Sequence, residues 1–352
     1  MRRGRRLSNS LGSIARAIRP GAYARWVTYP KVDRSHVVPR LYLRNFSDGE
    51  RIAMRLTGAA ESRVVGVGDA AVQKAYYRRT RPNGTEIDDV EWSLSVLEGS
   101  TAPILREVEH RWPLSLEDKV CLAEFFAAQY ARGRAWRRFY HHLLDKRLDD
   151  WGSEDHGLSR EPSAEELARA GEHLASDSQT LIRMLSLIPK ARSIFASMRW
   201  TLIRFNGPVL VLSDEPVVCW PIAAEALASV PERHKIGLLA TLEVAVPICS
   251  TCALLMTWAD EPDPVAVARG RRHHAATLNA LSIGQAEKQW FHRPGITPRL
   301  GAGRRRPLSA ELCPSYSGSS AAASQRRRKV DEMLQPRLGE TLTTEFDIFT
   351  IR

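Results

Sequence analysis

The chain has 352 residues, 43% of them hydrophobic, with 51 Lys and Arg against 40 Asp and Glu and a formal net charge of +11. That much apolar side chain can bury a large core, which excludes a fibrous or wholly disordered chain, and no window of about 18 apolar residues offers a membrane-spanning helix. Spread over the fold, the charge would imply a nucleic-acid partner, but residues 1–34 hold nine basic residues and one acid, residues 293–337 hold ten and three, and residues 35–292 hold 31 and 33.

The basic character therefore belongs to the two tails. The expected organisation is a disordered basic arm over residues 1–20, a single α+β domain over residues 21–300, and a mostly disordered basic tail over residues 301–352, which carries Arg304-Arg305-Arg306 and Arg326-Arg327-Arg328-Lys329. Such arms bind nucleic acid weakly and without sequence preference, although a solvated tail needs the same composition. The apolar stretch Leu11–Ala15 is interrupted by Arg16 and Arg19 and is too short for a signal peptide, so a cytoplasmic protein with no membrane partner is expected. Five cysteines, an odd number set in apolar surroundings, read as reduced thiols. Cys249-Ser250-Thr251-Cys252 has zinc-knuckle spacing, yet no second Cys-x-x-Cys or His-x-x-x-His accompanies it and a structural zinc site needs four ligands; core strands are the simpler reading.

In chain order, Gly21–Pro30 is irregular, with Trp26 and Tyr29 packing on the body. His36-Val37-Val38-Pro39-Arg40-Leu41-Tyr42-Leu43-Arg44-Asn45-Phe46 then joins an imidazole, two guanidiniums and an amide to an apolar stripe. Pro39 bars a helix through Val38, and Leu41, Leu43 and Phe46 fit either a strand or the first turns of a helix; if helical, Arg40 and Arg44 share one edge. Arg51–Val67 and Val72–Arg79 read as meandering strands, and Asn83-Gly84 as a tight turn. Asp88 or Asp89 caps a helix from about Val90 to His110, with Trp92, Val96 and Leu97 on its apolar side and Glu91, Ser95 and Glu98 on one stripe.

Ser115 or Leu116 opens the longest periodic segment, to about Asp149, apolar almost all round in its first half. Gln129 and Arg132 within it must find partners inside the fold, with Glu91 or Glu98 the candidates for Arg132, and Gly133 allows close approach of another backbone. A polar loop with His156 leads to a helix capped by Ser163 and another capped by Asp177 or Ser178 that ends at Pro189, with a short helical piece after it. Trp200–Phe205, Asn206-Gly207-Pro208 and Val209–Leu212 form a hairpin. Leu238–Ile248 and Cys249–Trp258 add strands, and Val265–Phe291 is a long helix on which Asn279 is an internal staple or a pocket lining, while His273 and His274 diverge by about 100° and so do not chelate from one face.

The His-x-x-Pro-Arg-x-Tyr-Leu-Arg-x-Phe string, the Ser213-Asp214-Glu215-Pro216-Val217 turn, the strand containing Pro247 and the late helix bearing Asn279 occur here in that order. Together they resemble the bacterial family known as domain of unknown function 4238, over about residues 35–292. The family's turn more usually reads Ser-Asp-Asn-Pro, so Glu215 departs from it. The resemblance implies no activity.

The polar residues that a solvated surface does not explain are His36, Arg40, Glu91, Glu98, Gln129, Arg132, Asp214 and Asn279. Such convergence builds active sites, and it also satisfies buried groups in a mixed fold. Two readings fit these residues. A non-catalytic binding or sensing protein would use Arg40, Arg44, Gln129, Arg132 and Asn279 on a phosphate- or carboxylate-bearing ligand or a partner protein. Alternatively, a metal-dependent phosphodiester hydrolase would hold Mg²⁺ on Glu91, Glu98 and Asp214, with His36 and Asp214 as catalytic groups. Asp214 also suits an Asx turn that accepts nearby amides. Acids facing one another across a gap would favour the cation, and acids each paired with an arginine would favour binding or structure.

Overall fold

The computed structural model describes residues 29–81, 83–142, 163–221, 238–258, 266–301, 307–312, 324–325, 328–330 and 332. The arm at 1–20, Trp26, His156, the 143–149 end of the long periodic segment and most of the C-terminal tail lie outside them. The described part is α+β: helices packed on antiparallel and mixed sheets.

The opening motif divides at Pro39. Before it, Arg34–His36 is strand β1; after it, Arg40–Arg44 is helix α1, with the proline at its N-cap, where no backbone N–H is needed. Arg51–Leu56 (β2) and Arg63–Gly66 (β3) form an antiparallel hairpin, but Val72–Lys74 (β4) pairs with β1 instead of continuing the meander. Arg79–Thr80 (β5) pairs with Glu86–Ile87 (β6).

Helix α2 spans Asp89–Arg106 and α3 spans Leu116–Ala131. Ser115 caps α3, its hydroxyl accepting from the Asp118 amide at 3.0 Å. Asp88, at the N-cap position of α2, makes no cap bond; its carboxylate accepts from the Val32 amide and from Arg78. The apolar side of α2 is Val90, Leu94, Leu97, Ile104 and Leu105, while Trp92 and Val96 are about two-fifths exposed, and Tyr29 covers the Trp92 ring edge-on at 5.9 Å.

Helices α4, Ala164–Ala175, and α5, Asp177–Ser197, come next, the latter capped by Ser176. Pro189 does not end α5. Its buried face, Leu181, Met184, Leu185, Ile188, Ala191, Ile194 and Phe195, continues on both sides of the proline and packs along α3, and this burial outweighs the roughly 3 kcal/mol an internal proline costs.

The main sheet has the order β12-β7-β11-β10-β9, from Arg199–Arg204 (β7), Val218–Pro221 (β9), Thr241–Cys249 (β10), Cys252–Thr257 (β11) and Val267–Arg269 (β12); only the β12–β7 pairing is parallel. The hairpin expected at residues 200–212 does not form. Gly207 does turn, with φ at +92°, but the amides of Val209 and Leu210 bond to the Ser250 carbonyl, and Leu212–Ser213 (β8) leaves to pair with Gln289–His292 (β13) in a second sheet of order β3-β2-β13-β8. The helix expected from Val265 to Phe291 is likewise divided into β12, helix α6 over Arg272–Gln285, and Gln289–His292 (β13). Strand pairing captures both ends, and Gly270 between them lies so close to Phe205 that an added Cβ would come within 2.3 Å of the ring. Ser309–Leu312 is a short last helix, α7. No described helix is long and apolar enough to cross a membrane.

Candidate functional site

Helix α3 is buried on nearly all sides from Leu122 onward, so its polar residues can only point at other protein groups. It stops at Ala131, and a helical segment resumes over residues 134–142. This break is the centre of the site. On one side of it lies Arg132, 1% exposed, whose Nη1 donates to Glu98 Oε1 at 2.9 Å; Glu91, two turns earlier on the same stripe of α2, shares the field of the same guanidinium. Arg132 Nε and Nη2, both amide atoms of the 2% exposed Gln129, Glu91 Oε2 and the Tyr77 hydroxyl are buried and have no hydrogen-bond partner.

Burial pushes the Glu91 carboxyl up to about 7, against the Ser35 hydroxyl and Arg132, which favour its ionised form. Burial also raises Glu98, with the Arg132 ion pair opposing, and raises the Tyr77 hydroxyl. His36 holds the edge of this cluster: its Nε2–H donates to the Gly68 carbonyl at 3.2 Å, and burial, together with Arg40, Arg34 and Arg132, holds it below the ordinary histidine value. It is therefore a neutral imidazole near pH 7. Arg40 is exposed beside Gly68, and Arg44 points away to Glu50 at 2.8 Å, an exposed pair.

On the other side of the break, Gly133 admits a carboxylate where a backbone was expected. A Cβ there would lie 2.1 Å and 2.2 Å from the two Glu215 oxygens, and Glu215 Oε1 accepts the Ala135 amide at 3.0 Å, placing negative charge at the start of the 134–142 helix. Arg137 stacks over Tyr76, its Cζ 3.9 Å from the ring centroid, and Tyr76 meets Tyr77 edge-on at 4.9 Å, which joins the two halves. Gly133→Ala is expected to cost about 1–3 kcal/mol by overpacking. Denaturant unfolding of Gly133→Ala and of Gly133→Ala/Glu215→Ala checks this, since the second change should restore part of the loss.

Asp214 and Asn279 stand outside this cluster. Asp214 is buried at the end of β8 and accepts the amides of Glu287 at 2.8 Å, Lys288 at 2.9 Å and Gln289 at 3.3 Å, so it staples the remote α6–β13 connection, where an Asx turn would have bound neighbours in sequence. Burial, then the adjacent Glu215 charge, raise it to about 6. Asn279 directs its whole amide to backbone: Nδ2 donates to the carbonyls of Val209 and Arg299, and Oδ1 accepts from Val211. Glu91, Glu98 and Asp214 thus do not gather around one point. Among the described residues the groups spaced to share a cation are others: Glu109 with Cys249 and Cys252, and His273 with His274 and Glu311. The two histidines do diverge in the helix, yet both Nε2 atoms reach Glu311 Oε2, at 2.8 Å and 3.1 Å, because α7 lies across them.

A family model described as a protein of unknown function (DUF4238) matches residues 34–295, the span from the His36 strand through Asp214 to β13. The chain belongs to the DUF4238 family. No curated protein and no solved structure matches it. In this member of the family, sequence reasoning missed Ser35, Tyr76 and Tyr77. Their only signal was two adjacent tyrosines in a polar stretch, and aromatic residues more often mark a core.

The raised Glu91 carboxyl makes a stability prediction. Its folded value lies above its unfolded one, so the native state holds the proton more tightly, and stability falls as pH rises from about 4.5 to about 7. Glu91→Gln removes this titration, and the stability of the variant relative to wild type should rise across that window. Urea unfolding at several pH values measures it; a gap that does not change with pH would mean that Glu91 is solvated.

Proposed function

We propose that this DUF4238 protein is a non-catalytic binding or sensing protein whose buried polar cluster at the α3 break takes a small ligand bearing a carboxylate or phosphate group. The observation that carries this reading is the guanidinium of Arg132, which is buried, gives one donor to Glu98 and keeps Nε and Nη2 without a partner, as does the buried Gln129 amide three residues earlier. Two donors of a planar fork match two oxygens of an oxyanion, and burial strengthens such a bond. Tyr77 adds a hydroxyl donor. Glu91, protonated below about 7, lets an anion enter and would resist it when ionised. The phosphodiester hydrolase reading draws less support, because Glu98 is paired with an arginine and Asp214 with backbone amides.

The test is calorimetry and thermal unfolding of the full chain with inorganic phosphate and with citrate. Binding at about pH 6 that weakens at about pH 8, as Glu91 ionises, and that is lost in Gln129→Leu supports the proposal. No heat and no rise in melting temperature with either anion, together with a higher melting temperature for Gln129→Leu, would make the cluster a structural one that merely tolerates an unpaired amide. We further propose a bacterial cytoplasmic protein, in keeping with described cysteines that form no disulfide, whose basic tails have a weak, sequence-independent affinity for nucleic acid.

A further inference from the structure

We infer that Cys249, Cys252 and Glu109 form a binding site for a thiophilic divalent cation of the zinc class. The two cysteines face each other across the tip of the β10–β11 hairpin with their sulfurs 3.1 Å apart. Glu109, from the turn after α2, joins them, so that the three ligand atoms all lie within 4.8 Å of one another. Sequence spacing supplied only the two cysteines of this set of three. The third ligand lies 140 residues before Cys249 and becomes a neighbour only through the fold.

The donor chemistry selects the metal. Two thiolates and one carboxylate suit zinc and similar borderline ions and disfavour Mg²⁺ and Ca²⁺, which require oxygen shells. Tetrahedral zinc with Zn–S bonds of about 2.3 Å sets its sulfurs about 3.8 Å apart, so closure needs them to separate by about 0.7 Å, within reach of a small χ1 adjustment. Outer contacts of the kind that orient thiolate ligands are already present. The Thr251 amide approaches Cys249 Sγ at 3.4 Å, and the Thr251 hydroxyl lies 3.1 Å from it. Both cysteines bind as thiolates, and their protons pass to solvent as the cation enters.

The hairpin tip is tied to its neighbours by hydrogen bonds. The Ser250 amide donates to the Asn45 carbonyl, Asn45 Nδ2 donates to the Ile248 carbonyl, and the Ser250 and Thr251 carbonyls accept the amides of Val209, Leu210 and Phe205. Arg204 Nη2 donates to the Glu109 carbonyl at 2.6 Å and brings a positive charge beside what would be three anionic ligands. Cys252 is fully buried, but Cys249 and Glu109 are partly exposed, which gives the cation an entry and leaves a fourth position for water. The His273–His274–Glu311 group is a weaker candidate: His274 Nδ1 accepts the Arg271 amide, so its Nε2 carries the proton and donates to Glu311.

The experiment uses the full chain, reduced with a phosphine and dialysed against Co²⁺. The expected result is about one equivalent of bound cobalt with thiolate-to-metal charge-transfer absorption, displaced by Zn²⁺, and a rise in melting temperature on zinc loading. Cys249→Ser should abolish the charge-transfer band. Glu109→Gln, at a partly exposed turn position that leaves the fold intact, should keep the band and weaken affinity by about tenfold or more. The inference is overturned if the reduced chain binds no stoichiometric cobalt, if Cys249→Ser binds as tightly as wild type, or if the pair forms a disulfide in air and shows no charge-transfer band after reduction.

Discussion

Replacing Arg132 with methionine is expected to destabilise the protein by about 3–5 kcal/mol, because it leaves the Glu98 carboxylate inside the fold without its cation. Both partners are shielded, with the Arg132 side chain 2% and the Glu98 side chain 24% accessible, so solvent can take over only part of the lost interaction. Burial already raises Glu98 against the influence of Arg132, and without the guanidinium it would rise further. Adding Glu98→Gln to Arg132→Met removes the stranded charge and should return part of the stability. Guanidinium unfolding of these two variants and of Glu98→Gln alone closes a double-mutant cycle. A loss below about 1 kcal/mol for Arg132→Met would place the pair among exposed, screened ion pairs and would also remove the basis for an anion pocket there.

Asp214→Ala should rank second, at about 3 kcal/mol. Three amides, those of Glu287, Lys288 and Gln289, lose their common acceptor, and each donor left without a partner in a partly buried place costs about 1–3 kcal/mol, reduced where water can enter. The damage should be local before it is global, since these amides lie where α6 hands over to β13, and β13 bridges β2 and β8. Hydrogen exchange should accelerate at residues 287–289 well before it does so in β10 or β11. Asp214→Asn keeps one acceptor oxygen and should lose less. Normal exchange at 287–289 in Asp214→Ala would mean that the carboxylate is not their acceptor in solution.

Read alone, the sequence determined the features that rest on local chemistry or on simple periodicity. The all-round apolar first half of α3 announced a buried helix, and that forced Arg132 and Gln129 inward and made Glu91 or Glu98 the partner for Arg132. Ser115 and Ser163 marked helix starts, and the uneven charge located the net positive charge in the tails. Tertiary structure decided whatever depended on which strand captured which segment. Asn206-Gly207 turned the chain as its local preference required, but β7 found β11 and β12 as partners, and the residues beyond the turn were held by Ser250 and Asn279. Pro189 was overruled in the same way, by a buried face that continues past it. The site obeyed the same rule: Glu215 reaches the amide at Ala135, and Glu109 reaches two cysteines, across separations that no short-range pattern encodes. Local propensities are worth tenths of a kcal/mol to about 1 kcal/mol per residue, whereas burying a large side chain or satisfying an interior polar group is worth several times more, so wherever the two conflicted the long-range contact prevailed.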